Sequence, residues 1–180
     1  MTKPTGVIYR HTVEAFVQRV ITRAGLLSID FSRELLALGL DVHRCRDVDL
    51  ATWSQVVRAT AKRMSPGKSE DAALEDVGRA MLVGFAESLV GKGLMFILRR
   101  LGARHALLRM PQNYRSADSV TEVTAREVSP FTVELTFNTT GGMPTYVRGL
   151  MLETLHQLKA EGTVSFDARP LGTVFTVSWK

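Results

Sequence analysis

The feature that most restricts how this 180-residue chain can fold is a change of hydrophobic period near Pro111. Before that proline, apolar side chains recur at spacings of three and four, the mark of helices with one buried face. Val13, Phe16, Val17, Val20 and Ile21 form the first such stripe, which Gly25 ends. Asp30 stands as the cap of a second, with Phe31, Leu35, Leu36 and Leu38 on its apolar side and Gly39 as its stop. A third follows Asp49 with Leu50, Trp53, Val56, Val57 and Ala61, and is broken at Ser65-Pro66-Gly67. Ser69 caps a fourth, whose first-turn Glu70 and Asp71 suit the positive helix end. Leu74, Val77, Met81, Leu82 and Phe85 give it a broad inner face. Gly78 and Gly84 lie inside it, each costing about 1 kcal/mol against Ala, so either another backbone or a ligand comes close there. Gly91 and Gly93 loosen the chain before a fifth helix over 94–109, which ends at Met110-Pro111.

Beyond Pro111 the period falls to two. Residues 120–128 alternate roughly, and Phe131, Val133, Leu135 and Phe137 occupy every second position, with Ser129-Pro130 as the turn between. Gly141-Gly142-Met143 leads into a helix with Pro144 in its first turn. Tyr146, Val147, Leu150, Met151, Thr154, Leu155 and Leu158 are its inner stripe. Residues 163–168 and 173–179 read as a hairpin joined around Pro170-Leu171-Gly172, and the short apolar stretch at 6–9 as a strand or extended lead-in. Helices followed by β-β-α-β-β specify an α+β fold: a helical half, residues 1–115, packed on a small, mainly antiparallel sheet with one helix, residues 116–180. The length suits one domain spanning 1–180. Trp53 and Trp179 are both expected to be largely buried.

With 45% apolar and 23% charged residues the chain can bury a core, which excludes intrinsic disorder. No apolar run reaches the ~18–20 residues that span a bilayer. The first ten residues lack the apolar block of a secretory signal, so a cytoplasmic protein is expected. A single cysteine leaves no internal disulfide framework and no cysteine-based zinc cage.

The net charge is +5, and it is unevenly placed. Residues 91–116 carry Lys92, Arg99, Arg100, Arg104, Arg109 and Arg115 and no acid, more than the whole excess. Such a segment is either an anion-facing surface or a solvated helix face. No aromatic platform is read between these charges, and nucleic acid is not an expected partner. Arg100 and Arg104, four apart, share a helical face, and arginine suits planar contacts with carboxylate or phosphate. The acidic stretch Glu70–Asp76 is an equally good internal partner for them.

Catalytic patterns are missing. His11, His43, His105 and His156 lie in four separate elements without the paired spacing of a zinc helix. Gly91-Lys92-Gly93 lacks the spacing and the Ser/Thr of a phosphate loop. Gly141-Gly142 before a helix could present N–H groups to an anion or simply form a turn. Cys45 sits between Arg44 and Arg46, where positive charge would favour the thiolate, but no nucleophile set surrounds it.

Several short motifs carry a family resemblance along nearly the whole chain. They are Leu38-Gly39-Leu40-Asp41, Trp53, the Gly78 and Gly84 pair, Leu101-Gly102-Ala103-Arg104, Met110-Pro111, Tyr114-Arg115 and Phe175-Thr176-Val177-Ser178-Trp179. On these the chain resembles a myxobacterial paralogous family classed as a domain of unknown function; Ala103 and His105 depart from its pattern of proline and two arginines after the glycine. The element order also resembles haem-NO-binding domains, vinyl-reductase-type ligand domains and TRAPP trafficking subunits. That resemblance implies a cavity between helices and sheet for haem, a small apolar ligand or an acyl chain. His105 falls where a haem-ligating histidine would stand, but the propionate-binding Tyr-x-Ser-x-Arg is replaced by Phe137-Asn138-Thr139-Thr140-Gly141. No cofactor, haem included, is therefore expected.

Together these readings give a non-enzymatic sensory or regulatory domain that binds a small apolar or acidic ligand. Met81, Phe85 and Leu94 would line its pocket, with Arg100, Arg104 and Arg115 at the rim. The alternative is an assembly module of the trafficking-subunit type, with a protein partner or a second copy and no small molecule.

Overall fold

Helix starts are set by side chains that satisfy free backbone N–H groups. In the computed structural model, which describes residues 6–180, Ser28, Asp49, Ser69 and Ser88 each accept from the backbone N–H three positions on. They open α2 (Ile29–Ala37), α3 (Leu50–Met64), α4 (Glu70–Glu87) and α5 (Leu89–Leu108). Before these, α1 (Arg10–Phe16) continues into a wider π-helical stretch, Val17–Thr22. Two expectations for α2 change. Its cap is Ser28 rather than Asp30, which stands in the first turn, and Leu36 faces solvent. A short strand β1 (Val7–Ile8) pairs with β2 (Val48–Asp49), a partner too short to show in the sequence pattern.

The region around α5 departs most from expectation. Gly91 and Gly93 do not loosen the chain; they lie inside α5. A Cβ on Gly91 would come within 1.7 Å of the Phe85 carbonyl oxygen, so glycine there permits the sharp corner between α4 and α5. Further along, Gly102 leaves helical geometry at φ 82°, ψ 172°, and kinks the helix. Pro111 does not end the helical half either. It occupies the first turn of α6 (Met110–Ala117), where its missing N–H costs nothing.

The second half follows the sequence closely. Strands β3 (Val123–Ser129) and β4 (Thr132–Phe137) form one hairpin, β5 (Gly162–Arg169) and β6 (Gly172–Trp179) the other, with α7 (Pro144–Gln157) between. The antiparallel sheet has the order β3-β4-β6-β5. Cross-strand pairs Leu135–Phe175 and Val133–Val177 fix the register that turns these four side chains inward, where all are fully buried.

One buried apolar cluster joins the halves, running from Phe16, Phe31 and Trp53 through Leu74 and Val77 to Met151, Phe175 and Val177. Trp53 is buried and meets Phe16 edge-on at 4.9 Å. Trp179, by contrast, is only half-buried because it ends the last strand. Helices α4 and α7 cross most tightly at glycines. A Cβ on Gly78 would stand 2.1 Å from the Tyr146 carbonyl oxygen, and one on Gly149 2.2 Å from that of Glu75. Gly84 meets the backbone of Arg19 in the same way. The two helix glycines thus serve close backbone approach. Among the described residues no single helix is long and apolar enough to cross a membrane.

Candidate functional site

Helix α6 is short, but both its ends are tied. Met110 and Tyr114, four apart, share its inner face. At its C-terminus the buried Asp118 carboxylate accepts the N–H groups of Val120 and Thr121 at 2.8 and 2.5 Å. Backbone bonds from Tyr9 to Ala117 and from Ser119 to Val7 hold the same end to β1. Tyr114 is thereby pressed against the sheet, its ring edge-on to Phe137 at 4.9 Å, and Phe137 in turn meets Phe175 at 5.2 Å.

The Tyr114 hydroxyl is fully buried and has no hydrogen-bond partner among the described residues. Burial pushes its pKa far up, and the nearby Tyr146 and Asp118 add to the shift. Tyr146, on α7, is likewise raised by burial. A neutral phenol without a partner, in the seam between helices and sheet, is a donor waiting for an acceptor. In the sequence Tyr114 enters only through the Tyr114-Arg115 motif of the family resemblance; the orphaned hydroxyl is visible only once β4 and α6 are packed together.

The sequence-derived site residues are not brought to one place. The break at Gly102 removes the helical relation between Arg100 and Arg104, so the shared face expected for them does not exist. The Arg100 guanidinium lies over the exposed Phe96 ring, 4.9 Å from its centre, so an aromatic does stand among these charges. Arg104 forms a two-pronged pair with Glu127 of β3, at 2.8 and 2.5 Å, which holds the Glu127 carboxyl below its usual pKa. The acidic stretch is taken up elsewhere: Glu70 pairs with Arg58, Asp76 with Lys68, and Glu75 with both Arg79 and Arg148. Arg115 is exposed and pairs with no carboxylate among the described residues.

Of the apolar residues, Met81 packs on the main core, Phe85 lies under the Arg19 guanidinium at 5.1 Å, and Leu94 belongs to a small second cluster with Met95, Leu98 and Ala106. Two open clefts lie away from all of them. One, of about 450 Å³, is bounded by Arg10, Glu14, Val17, His43 and Cys45; the other, of about 480 Å³, by Arg58, Lys62, Ser65 and Lys68. In the first, burial together with Glu14 and Asp41 pushes the Cys45 thiol pKa up, the reverse of what its arginine neighbours in sequence suggest. Its Sγ donates to the Val42 carbonyl at 3.7 Å.

His105 is exposed, with Nδ1 2.8 Å from the Leu101 carbonyl oxygen, while its neighbours Ala106 and Leu107 are the buried positions. It does not enter the seam, and the seam itself is filled by Phe137, Phe175, Met143 and Met151. This donor set does not fit a haem. Nor, among the described residues, do three or more His, Cys, Asp or Glu side chains gather where they could hold a metal ion.

The fold nonetheless has close counterparts among solved structures. An oxygen-binding H-NOX domain related to soluble guanylate cyclases, in its oxygen complex, superposes with a TM-score of 0.71 at 17% identity, over 96% of this chain and 95% of that one. A point variant of the T. tengcongensis H-NOX gives 0.67 at 15%, over 96% and 98%. An unliganded Fe(II) H-NOX variant from K. algicida gives 0.66 at 11%, over 96% and 97%. At these identities the likeness is one of fold. No curated protein matches the chain. A family model described as "Protein of unknown function (DUF2378)" matches residues 6–180, and the chain belongs to that family.

Proposed function

We propose that this chain is a non-enzymatic sensory or regulatory domain that uses the H-NOX architecture without haem. In this reading a small, largely apolar ligand with one hydrogen-bond acceptor enters the seam beside Tyr114 by displacing some of the side chains that fill it. The orphaned Tyr114 hydroxyl carries the proposal, because a buried donor without a partner costs free energy that an acceptor from a ligand would recover. Arg115, next to Tyr114 in sequence and paired with no carboxylate among the described residues, is the rim cation for an acidic group, while Met81 packs on the main core and is not drawn into the site. Arg100, Arg104, Phe85 and Leu94 stay outside the proposed site, since each is engaged elsewhere. The exposed His105 and the missing propionate-binding motif support the haem-free part.

Native mass spectrometry and an absorption spectrum of the purified protein test this together. The expected mass exceeds the 19.9 kDa chain by a small molecule, and the excess disappears in Tyr114→Phe. The bare chain mass in wild type would remove the ligand. A stoichiometric Soret band abolished in His105→Ala would overturn the haem-free reading. The second reading, an assembly module, is favoured by one observation: Phe137, Phe175, Met143 and Met151 close the seam. It predicts masses at multiples of the chain and no small molecule.

A further inference from the structure

Helices α4 and α5 meet at about 100°. Past that corner, one face of α5 packs inward through Met95 and Leu98. Among the described residues nothing packs on the opposite face, although it is apolar: Leu89 is 90% exposed, Phe96 61% and Ile97 52%. Lys92, Arg99 and Arg100 are exposed on the same helix, and among the described residues none of the three pairs with a carboxylate. The nearest acid before them, Glu87, is engaged by Arg23 at 2.7 Å. Arg99 is steadied by donating to the Gln157 carbonyl at 2.9 Å, and Arg100 lies over Phe96.

Helical spacing sorts these side chains. Leu89, Phe96 and Ile97 run along the outward line, while Lys92 and Arg99 flank it on one side and Arg100 rides between. We propose that this face of α5 docks on an anionic lipid surface, with Leu89, Phe96 and Ile97 entering the headgroup boundary and Lys92, Arg99 and Arg100 meeting lipid phosphates and carboxylates. Charge decides the occupant. A second copy, related by a two-fold axis, would set the cations of one chain against those of the other. A nucleic acid would satisfy the cations and leave Leu89 and Ile97 in water. An anionic bilayer surface offers both negative headgroups and an apolar layer just beneath. With three cations and three apolar anchors the association is reversible and salt-sensitive.

Sedimentation with phosphatidylcholine vesicles, with and without phosphatidylserine, tests the proposal. Wild type is expected to pellet only with the serine lipid and to be released by salt. Losing a cation near such a surface weakens binding about fivefold, so Lys92→Glu with Arg100→Glu should weaken it at least about 25-fold. Phe96→Ser with Ile97→Ser should abolish it, and both double variants should melt as wild type does, because the altered side chains are exposed. Hydrogen exchange on wild type, which needs no variant, should slow in α5 when phosphatidylserine vesicles are added. The proposal falls if wild type ignores both vesicles, if the charge-reversed protein binds undiminished, or if protection appears away from α5. It falls equally if wild type is a soluble dimer that Phe96→Ser with Ile97→Ser dissociates, which would assign the face to a second copy.

Discussion

The Tyr114 hydroxyl is desolvated without compensation, so in ligand-free protein Tyr114→Phe should raise stability by about 1 kcal/mol, read as a higher denaturant midpoint. The same change should erase any stabilisation by the proposed ligand, and the opposite signs make the pair of measurements decisive. Glu75 is the counter-case, a half-buried charge with partners. Burial raises its pKa, but hydrogen bonds and charge from Arg79 and Arg148 outweigh this and leave it below the ordinary 4.5. Its contribution is therefore fully present above the unfolded-state value and is lost as pH falls through the lower folded-state value. Wild type should lose stability in that acidic window, and Glu75→Gln should flatten the pH dependence there. An unchanged slope in Glu75→Gln would mean that other carboxylates carry the acid response. Neither role can be found from sequence: Tyr114 and Phe137 lie 23 positions apart, and Glu75 and Arg148 lie 73 apart.

At the scale of elements, what the sequence discloses depends on whether a residue speaks for its own segment or for its neighbour. Ser69 caps α4 as read, and Asp49, read as the residue before the third helix, caps α3, because a cap acts within three positions. Gly91 and Pro111 read as breakers by their general habits, yet one sits in a corner inside α5 and the other in a first turn, whereas Gly102, inside the helix expected over 94–109, kinks it. The kink at Gly102 propagates directly to the candidate site, since Arg100 and Arg104 share a face only if the helix between them is continuous. Gly78 and Gly84 give the opposite lesson. Their cost within α4 signals something pressing from outside, and the structure supplies the backbones of α7 and of the π-helical stretch. A methyl group on Gly78 has no room beside the Tyr146 carbonyl, so Gly78→Ala should destabilise by about 1–3 kcal/mol or more, despite its better helix propensity. A thermal melt equal to wild type would mean that α4 and α7 do not cross where described.

For the whole molecule, the strongest sequence signal is the switch of period near Pro111, and the boundary between the helical half and the sheet falls just beyond it, after α6. The period does not tell how the halves engage, because that depends on which inward faces meet. Here they share one apolar cluster, with Phe16 and Trp53 at one end and Phe175 and Val177 at the other. A shared core makes separate unfolding of the halves costly: removing the sheet would expose Met151, Leu74 and their neighbours together. Equilibrium unfolding should therefore be a single cooperative transition. The chain has two tryptophans, one in each half, which makes this directly measurable. In Trp53→Phe the remaining fluorescence reports on β6, and in Trp179→Phe it reports on α3, while far-UV circular dichroism in both is dominated by the helices. Each substitution shifts the midpoint by its own packing loss, more for the buried Trp53 than for the half-buried Trp179, so the comparison belongs within each variant. Fluorescence and circular dichroism midpoints should coincide in both proteins. A sheet signal that melts before the helical one in Trp53→Phe would show that the two halves unfold as separate units, and that the cluster joining them contributes too little to couple them.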